Sequence, residues 1–565
     1  MKPSNLTLAG LTIALVVVAA PASAAKRCNS LLDTDAESHR GVGDGTNGAP
    51  FEIWTAEHLW SMAHTPADYD KNFVQCAPID LDGFYNESRP YFRVGDRIGE
   101  NGEAEGFTGS YNGRNNSISN FVYDESGPYA PDEYALPNQH SAKRSVGIFS
   151  WLDCGSTVKK LNIFGAKIVV SGDTHGAGIL AGMNRCSDAN RSNLSTLKRI
   201  RVEGSIESTA EFTGGLVGDV NVYPASRTAL TKISTVVSIK SKAAGTTGGL
   251  AGLLNNGDVS RAQVRVTITD VRNDHYLQAT GGAIGTAAYS EIENSTAYAV
   301  ISGSGRIGGF IGKTERCVLT TTLAQGAITA QNLDQSSGYL HSYGGFVGRT
   351  NDTQFSLSVA DVQVNIISSA AEQAGAQTVK ELFAGGFAGE IRRYEMRGRN
   401  IIVENSYATG DVISDLNVVD DAYSMGGFVG LMRVNGGDVE GIKNSYASGD
   451  VVSPGYAGGF IGDAILKHYP GDEYSYEDLN VSGSFAAGIA RGAVRSQAFG
   501  AEYEYDNNFY VDAAAGADVG PGTPIAIEML RNPNSNLGLD WAKGRDGWRF
   551  TNWSLPQLSA SPETQ

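Results

Sequence analysis

Residues able to do chemistry are plentiful in this sequence, but they do not converge. The eight histidines, His39, His58, His64, His140, His175, His275, His341 and His468, show no metal-ligand spacing. There is no HExxH and no GxSxG, so neither a zinc-protease helix nor a nucleophile elbow is legible. Carboxylates are more suggestive. Asp411 and Asp450 hold equivalent places in NSYATGDV (405–412) and NSYASGDV (444–451). Paired carboxylates can perform acid–base work on glycosides. Here both close the turn triplets TGD and SGD, where Asp commonly bonds backbone, and the turn role is expected. Asp33, Asp35, Glu37 and Asp44 form an acidic group that could attract Ca²⁺, without the spacing of an EF-hand. No other cofactor is expected.

Gly-rich runs can cradle phosphate, and this chain has many. They read AGILAG (177–182), TGGLVG (213–218), TGGLAG (247–252), TGGAIG (280–285), IGGFIG (307–312), YGGFVG (343–348), AGGFAG (384–389), MGGFVG (425–430) and AGGFIG (457–462). None contains GxGxxG or GxxxxGK[ST], and a run repeated nine times points to architecture rather than to one ligand. The glycines expected to be structural are Gly214, Gly215 and Gly218; Gly248, Gly249 and Gly252; Gly308, Gly309 and Gly312; and Gly344, Gly345 and Gly348. The later copies add Gly385, Gly386 and Gly389; Gly426, Gly427 and Gly430; and Gly458, Gly459 and Gly462. They would allow φ > 0 or close backbone approach at corners.

The elements that carry these runs are strands. The hexads recur every 27 to 41 residues, the period of a solenoid. Between them lie segments rich in Val, Ile, Thr and Tyr, such as VRVTITDV (264–271) and VQVNII (362–367), which alternate with period two. Helical spacing is confined to TAEHLWSMAH (55–64) and PIAIEMLRN (524–532). Stacked coils place like residues in columns. Phe310, Phe346, Phe387, Phe428 and Phe460 should form one column, continuing from Leu216 and Leu250, and Tyr407, Tyr446 and Phe485 another. The expected fold is all-β: a parallel β-helix-like solenoid of Gly-rich repeats with N- and C-terminal capping segments. Its parts are a signal peptide (1–24), an N-terminal cap with opening coils (25–140), the repeat solenoid (141–500) and a C-terminal cap (501–565).

At its hexads the chain resembles proteins carrying the GLUG motif, a Gly-Gly-[Leu/Phe]-x-Gly repeat of bacterial secreted and cell-surface proteins. The likeness spans about residues 140–500. The flanks GVGDGTNGAPFEIWTAEHL (41–59), FTGSYNGRNNSISNFVYD (107–124), VGIFSWL (146–152), NNFYVD (507–512) and DGWRFTNWSLPQL (546–558) are similar to opening and closing coils. The resemblance implies a β-helix-like architecture and a surface or adhesion role. It implies no catalytic residues, because the motif is structural.

Composition agrees with an exported protein. The first residues give one charge, Lys2, an apolar run near Leu8–Ala20 and the small-residue site Ala22-Ser23-Ala24, as in a cleaved signal peptide. No later stretch is long enough for a membrane span. The chain is expected outside the cell or on its surface, with the periplasm as the alternative. There disulfides can form, and Cys28 with Cys76 and Cys154 with Cys186 would each join nearby segments, leaving Cys317 over. Sequence alone does not fix that pairing. The 44 basic residues face 61 acidic ones, for a net charge of −17, and no basic stripe is legible. A nucleic-acid partner is therefore not expected. The leading reading is a non-enzymatic adhesin that contacts surface polysaccharide, extracellular matrix or another cell surface through displayed loops, with 350–380 and 464–480 foremost. A polysaccharide lyase or hydrolase on a β-helix is the alternative, and it predicts clustered Asp and Arg/Lys from neighbouring coils. A purely structural envelope component is the third.

Overall fold

The computed structural model describes residue 28 and residues 38–95, 97–98, 104–130, 144–186, 194–222, 226–242, 245–270, 279–331, 340–368, 381–393, 402–416, 419–435, 441–467, 481–500, 508–511, 522–532, 548–549 and 554–558. The segment 1–24 and most of the acidic group at 33–37 lie outside these residues.

Each hexad marks one coil of a parallel solenoid. One coil runs through the long strand Ser195–Ser208, the short strand Phe212–Gly214 and the strand Val217–Asn221. The next repeats it as Thr228–Ser241, Thr246–Gly248 and Ala251–Asn255. The strands pair parallel, and like pairs with like: Ile206 with Ile239, Gly214 with Gly248, Asn221 with Asn255. The two short strands of successive coils build an eleven-stranded and a ten-stranded sheet, each in strict chain order. The long strands build the third face. At about 4.8 Å per strand, ten or eleven coils make a rod of roughly 50 Å.

The hexad glycines work by absence of a side chain, not by φ. None has a positive φ. A Cβ on the first glycine would strike a carbonyl three residues on, as Gly308 would meet Ile311 O at 1.9 Å. On the second it would strike the next coil, as Gly427 would meet Gly459 O at 2.1 Å. On the third it would strike the facing short sheet, as Gly430 would meet Ala384 N at 2.6 Å. The two short sheets are thus packed backbone on backbone, which only glycine permits.

The Phe column forms as expected. Neighbouring rings from Phe310 to Phe460 lie 4.7–5.1 Å apart and within 8° of parallel, and Phe499 extends the column by one coil. The Tyr407–Tyr446–Phe485 column also stacks, at 4.8 and 4.7 Å. It faces the other way. Ala408 and Ala447 point at the hexad glycines inside, so Tyr407 and Tyr446, one residue earlier, point outward. Register extends this outward column to Leu323, Val359 and Phe509. Trp548 packs on Tyr407 and Tyr446, and the Tyr446 hydroxyl donates to Pro556 O at 2.8 Å. Residues of the C-terminal segment therefore cover an apolar stripe on the outer face.

Earlier strands, Phe51–Ile53, Asn72–Gln75 and Ser110–Asn112, continue the long face toward the N-terminus. The helix Ala56–Ala63 sits among them, capped by Thr55, whose hydroxyl accepts the His58 N–H. The second expected helix is shorter, Ile527–Arg531, because Thr523–Ile525 pairs as a strand with Phe509–Val511. Cys28–Cys76 and Cys154–Cys186 are disulfides, and Cys317 is free and buried. Two disulfides fit an oxidising compartment. Among the described residues, no helix is long and apolar enough to cross a membrane.

Candidate functional site

Two surfaces concentrate side chains that could bind or react. The first is the outer face of the long sheet. Each coil of the long face is broken at one shared position by a residue in the left-handed region; Thr157–Val170 and Val318–Ala330 each carry a second positive φ, at Gly165 and Gly326. The breaks align in one column: Asn115, Lys160, Arg199, Lys232, Arg261, Asn294, Thr321, Leu357, Asn405, Asn444 and Gly483, with φ between 48° and 66°. Asn tolerates this conformation better than other residues with a Cβ, which accounts for the Asn that opens NSYATGDV and NSYASGDV.

The break disturbs the regular strand-to-strand bonding, and in the later coils a hydroxyl on the next residue repairs it. Ser358, Ser406, Ser445 and Ser484 follow the column and are wholly buried. The N–H of Ser358 donates to Ser406 Oγ, that of Ser406 to Ser445 Oγ, and that of Ser445 to Ser484 Oγ, at 3.2–3.3 Å. Each hydroxyl donates in turn to the carbonyl two residues earlier in its own strand, as Ser445 does to Lys443 O. Asn508 closes the ladder by accepting the Ser484 N–H through Oδ1. Asp411 and Asp450 act similarly. Asp411 accepts the Asp450 N–H and Asp450 accepts the Ile489 N–H, so these carboxylates bind the next coil rather than their own turn.

On the solvent side, the face between Ser195 and Gly303 leaves large apolar groups open. Val236, Tyr298 and Val300 are 40%, 48% and 42% exposed. Val236 and Tyr298 share a column with Arg265, whose guanidinium lies 5.6 Å from the Tyr298 ring.

The second surface lies on the ten-stranded sheet. Arg349 pairs with Glu390, and Arg392 with Arg433, on three consecutive coils. Glu390 is fully buried. Its carboxylate accepts from Arg392 Nε and lies 3.5 Å from Arg433 Nε and 3.7 Å from Arg349 Nε. Arg433 also donates to Glu381 at 2.9 Å. One coil earlier, burial pushes the Lys313 amine below its ordinary range. One coil later, burial raises the Asp463 carboxyl. His341 is pushed down to about 4 by burial, helped by Arg306. In the first coils the same region holds His175, whose Nε2 lies 2.8 Å from Asp219 and whose Nδ1 lies 3.3 Å from Glu211. This is the gathering of carboxylates and cations from neighbouring coils that the enzyme alternative calls for. Its central carboxylate is closed to solvent: Oε1 accepts from Arg392, while Oε2 accepts no hydrogen bond and faces Arg349 Nε at 3.7 Å.

The hexad glycines named from sequence line neither surface as ligands; they set the spacing of the coils. Asp44 lies among the described residues, and its carboxylate accepts the Thr46 N–H at 2.9 Å. The two groups with metal-ligand spacing among the described residues are built on Cys28 with Cys76 and Cys154 with Cys186, whose sulfurs are tied in disulfides. Of the two loops expected to touch a partner, 354–366 is instead a long strand and 464–467 ends one, because both pair with their neighbours. Residues 369–380 and 468–480 lie outside the described residues.

No family model matches this chain, and no curated protein matches it. Among solved structures it is similar to a candidate immunoglobulin A1 protease from Bacteroides ovatus, at 17% identity over 57% of this chain and 79% of that one, with a TM-score of 0.35. It is also similar to an IgA1 protease, at 16% identity over 66% of this chain and 23% of that one, with a TM-score of 0.34.

Proposed function

We propose that this chain is a GLUG-type repeat protein of the cell exterior that adheres to surface polysaccharide or matrix through the outer face of its solenoid. The observation that carries the reading is the open patch of Val236, Tyr298 and Val300 on a sheet whose strands pair in register from coil to coil. Exposed apolar side chains gathered on one face mark contact surfaces. Repetition along the rod makes contact multivalent, so weak contacts sum to useful avidity. The emphasis differs from the sequence reading, which favoured loops.

The second reading, a polysaccharide-cleaving enzyme, draws on the Glu390 cluster with Arg349, Arg392 and Arg433. Incubating the purified chain with surface polysaccharides and matrix components separates the two. Retention without new reducing or unsaturated ends supports adhesion. New ends would replace it with the enzyme reading. Neither retention nor new ends would leave a structural envelope role.

A further inference from the structure

We infer that the first four coils of the repeat array carry a binding strip for a linear anionic polysaccharide; this rests on the adhesion reading and names its ligand class. After Asn115 the left-handed column carries four cations in succession, Lys160, Arg199, Lys232 and Arg261. Lys159 and Lys198 precede two of them and pair directly across coils. Arg199, Lys232, Arg261 and Lys198 are exposed. None of the six has a side-chain hydrogen bond or ion pair among the described residues. The nearby carboxylates are already engaged: Asp258 with Arg227, and Glu203 with Arg201. Glu293, one coil along from Ser260, accepts its hydroxyl.

The wider chain bears a net charge of −17, so an unpaired cationic strip stands out against it. Its spacing selects the ligand. One cation per coil, about 4.8 Å apart, matches an extended sugar chain carrying one acidic group per residue. Duplex DNA presents a charge about every 1.7 Å and would meet the acidic remainder of the chain. Four residues further along the same strands lie Arg265 and the open Tyr298 ring, a face on which a pyranose can stack.

The column also supplies the test. Asn occupies it in later coils, so Arg199→Asn, Lys232→Asn and Arg261→Asn together remove charge while favouring the same backbone. The full chain and this triple variant would be titrated with polygalacturonate, with neutral dextran, with matrix protein and with duplex DNA at low salt. The expected result is polygalacturonate binding that weakens with salt and falls about tenfold in the variant, with an undiminished melting temperature. Arg199→Lys with Arg261→Lys should keep the binding. Unchanged binding in the triple variant would overturn the strip, as would DNA binding tighter than polygalacturonate. Binding to dextran or matrix but not polygalacturonate would overturn the strip and leave adhesion standing. Binding to none of the four would overturn both.

Discussion

Ser406 and Ser445 lie 39 residues apart, yet the N–H of one donates to the Oγ of the other at 3.3 Å. The bond exists because the residue before each is left-handed, Asn405 at φ 49° and Asn444 at φ 48°. The backbone of the coil turns there, and the serine hydroxyl takes the place of a carbonyl. The result is a buried hydroxyl ladder that holds successive coils in register beneath the outer face.

Removing one rung should be costly. Ser445→Ala leaves the Ser406 N–H buried without its acceptor, at about 1–3 kcal/mol. Urea unfolding followed by circular dichroism should show a midpoint lower than that of wild type. An unchanged midpoint would mean that the ladder is incidental to stability.

The hexads make a sharper prediction. Gly427→Ala would put a Cβ 2.1 Å from Gly459 O and 3.0 Å from Ala447 Cβ, with no flexible atom to yield. The expected loss is about 3 kcal/mol or more, or failure to fold. Gly48→Ala, where nothing lies within 4 Å, is the control and should be neutral. Equal thermal midpoints for the two would contradict the backbone-on-backbone packing.

Thr321 occupies the left-handed column at φ 53°, where a β-branched residue is poorly suited. Thr321→Asn should raise stability by about 1 kcal/mol. A decrease would show that packing of the Thr321 side chain outweighs its backbone strain.

His341 predicts an acid response. Its folded value is about 4, against 6.5 for the free imidazole. Its Nδ1 accepts the Gly305 N–H and lies 3.2 Å from the Tyr343 hydroxyl, and Arg306 is the nearby cation. Between those two pH values the unfolded chain binds a proton that the folded chain refuses. Stability from this site is therefore complete above about pH 6.5 and declines as pH falls toward 4, by up to about 3 kcal/mol. His341→Gln should flatten that part of the stability–pH curve. Parallel curves for the two proteins would contradict the assignment.

Much of this fold was legible because stacking turns structure into repetition. The Phe310–Phe460 column and the coil number follow from hexad spacing alone. Other features were hidden for physical reasons. Lys160, Arg199, Lys232 and Arg261 reveal nothing by type about a positive φ, and they stand about 30 to 40 residues apart in sequence. The cationic strip therefore appears only once the coils are stacked. Glu390 and its three arginines are split between coils in the same way. The outward direction of Tyr407 and Tyr446 was also invisible, because their cover, Trp548 and Pro556, comes from the far end of the chain.

The most direct test of the adhesive face is a footprint of the bound complex. The chain, held by a polysaccharide that retains it, would be treated with an amine-acetylating reagent and with hydroxyl radicals. Modified residues would then be read by mass spectrometry. The account predicts protection of Lys198, Lys232 and Tyr298 relative to the free chain. Full modification of all three while the polysaccharide stays bound would contradict it.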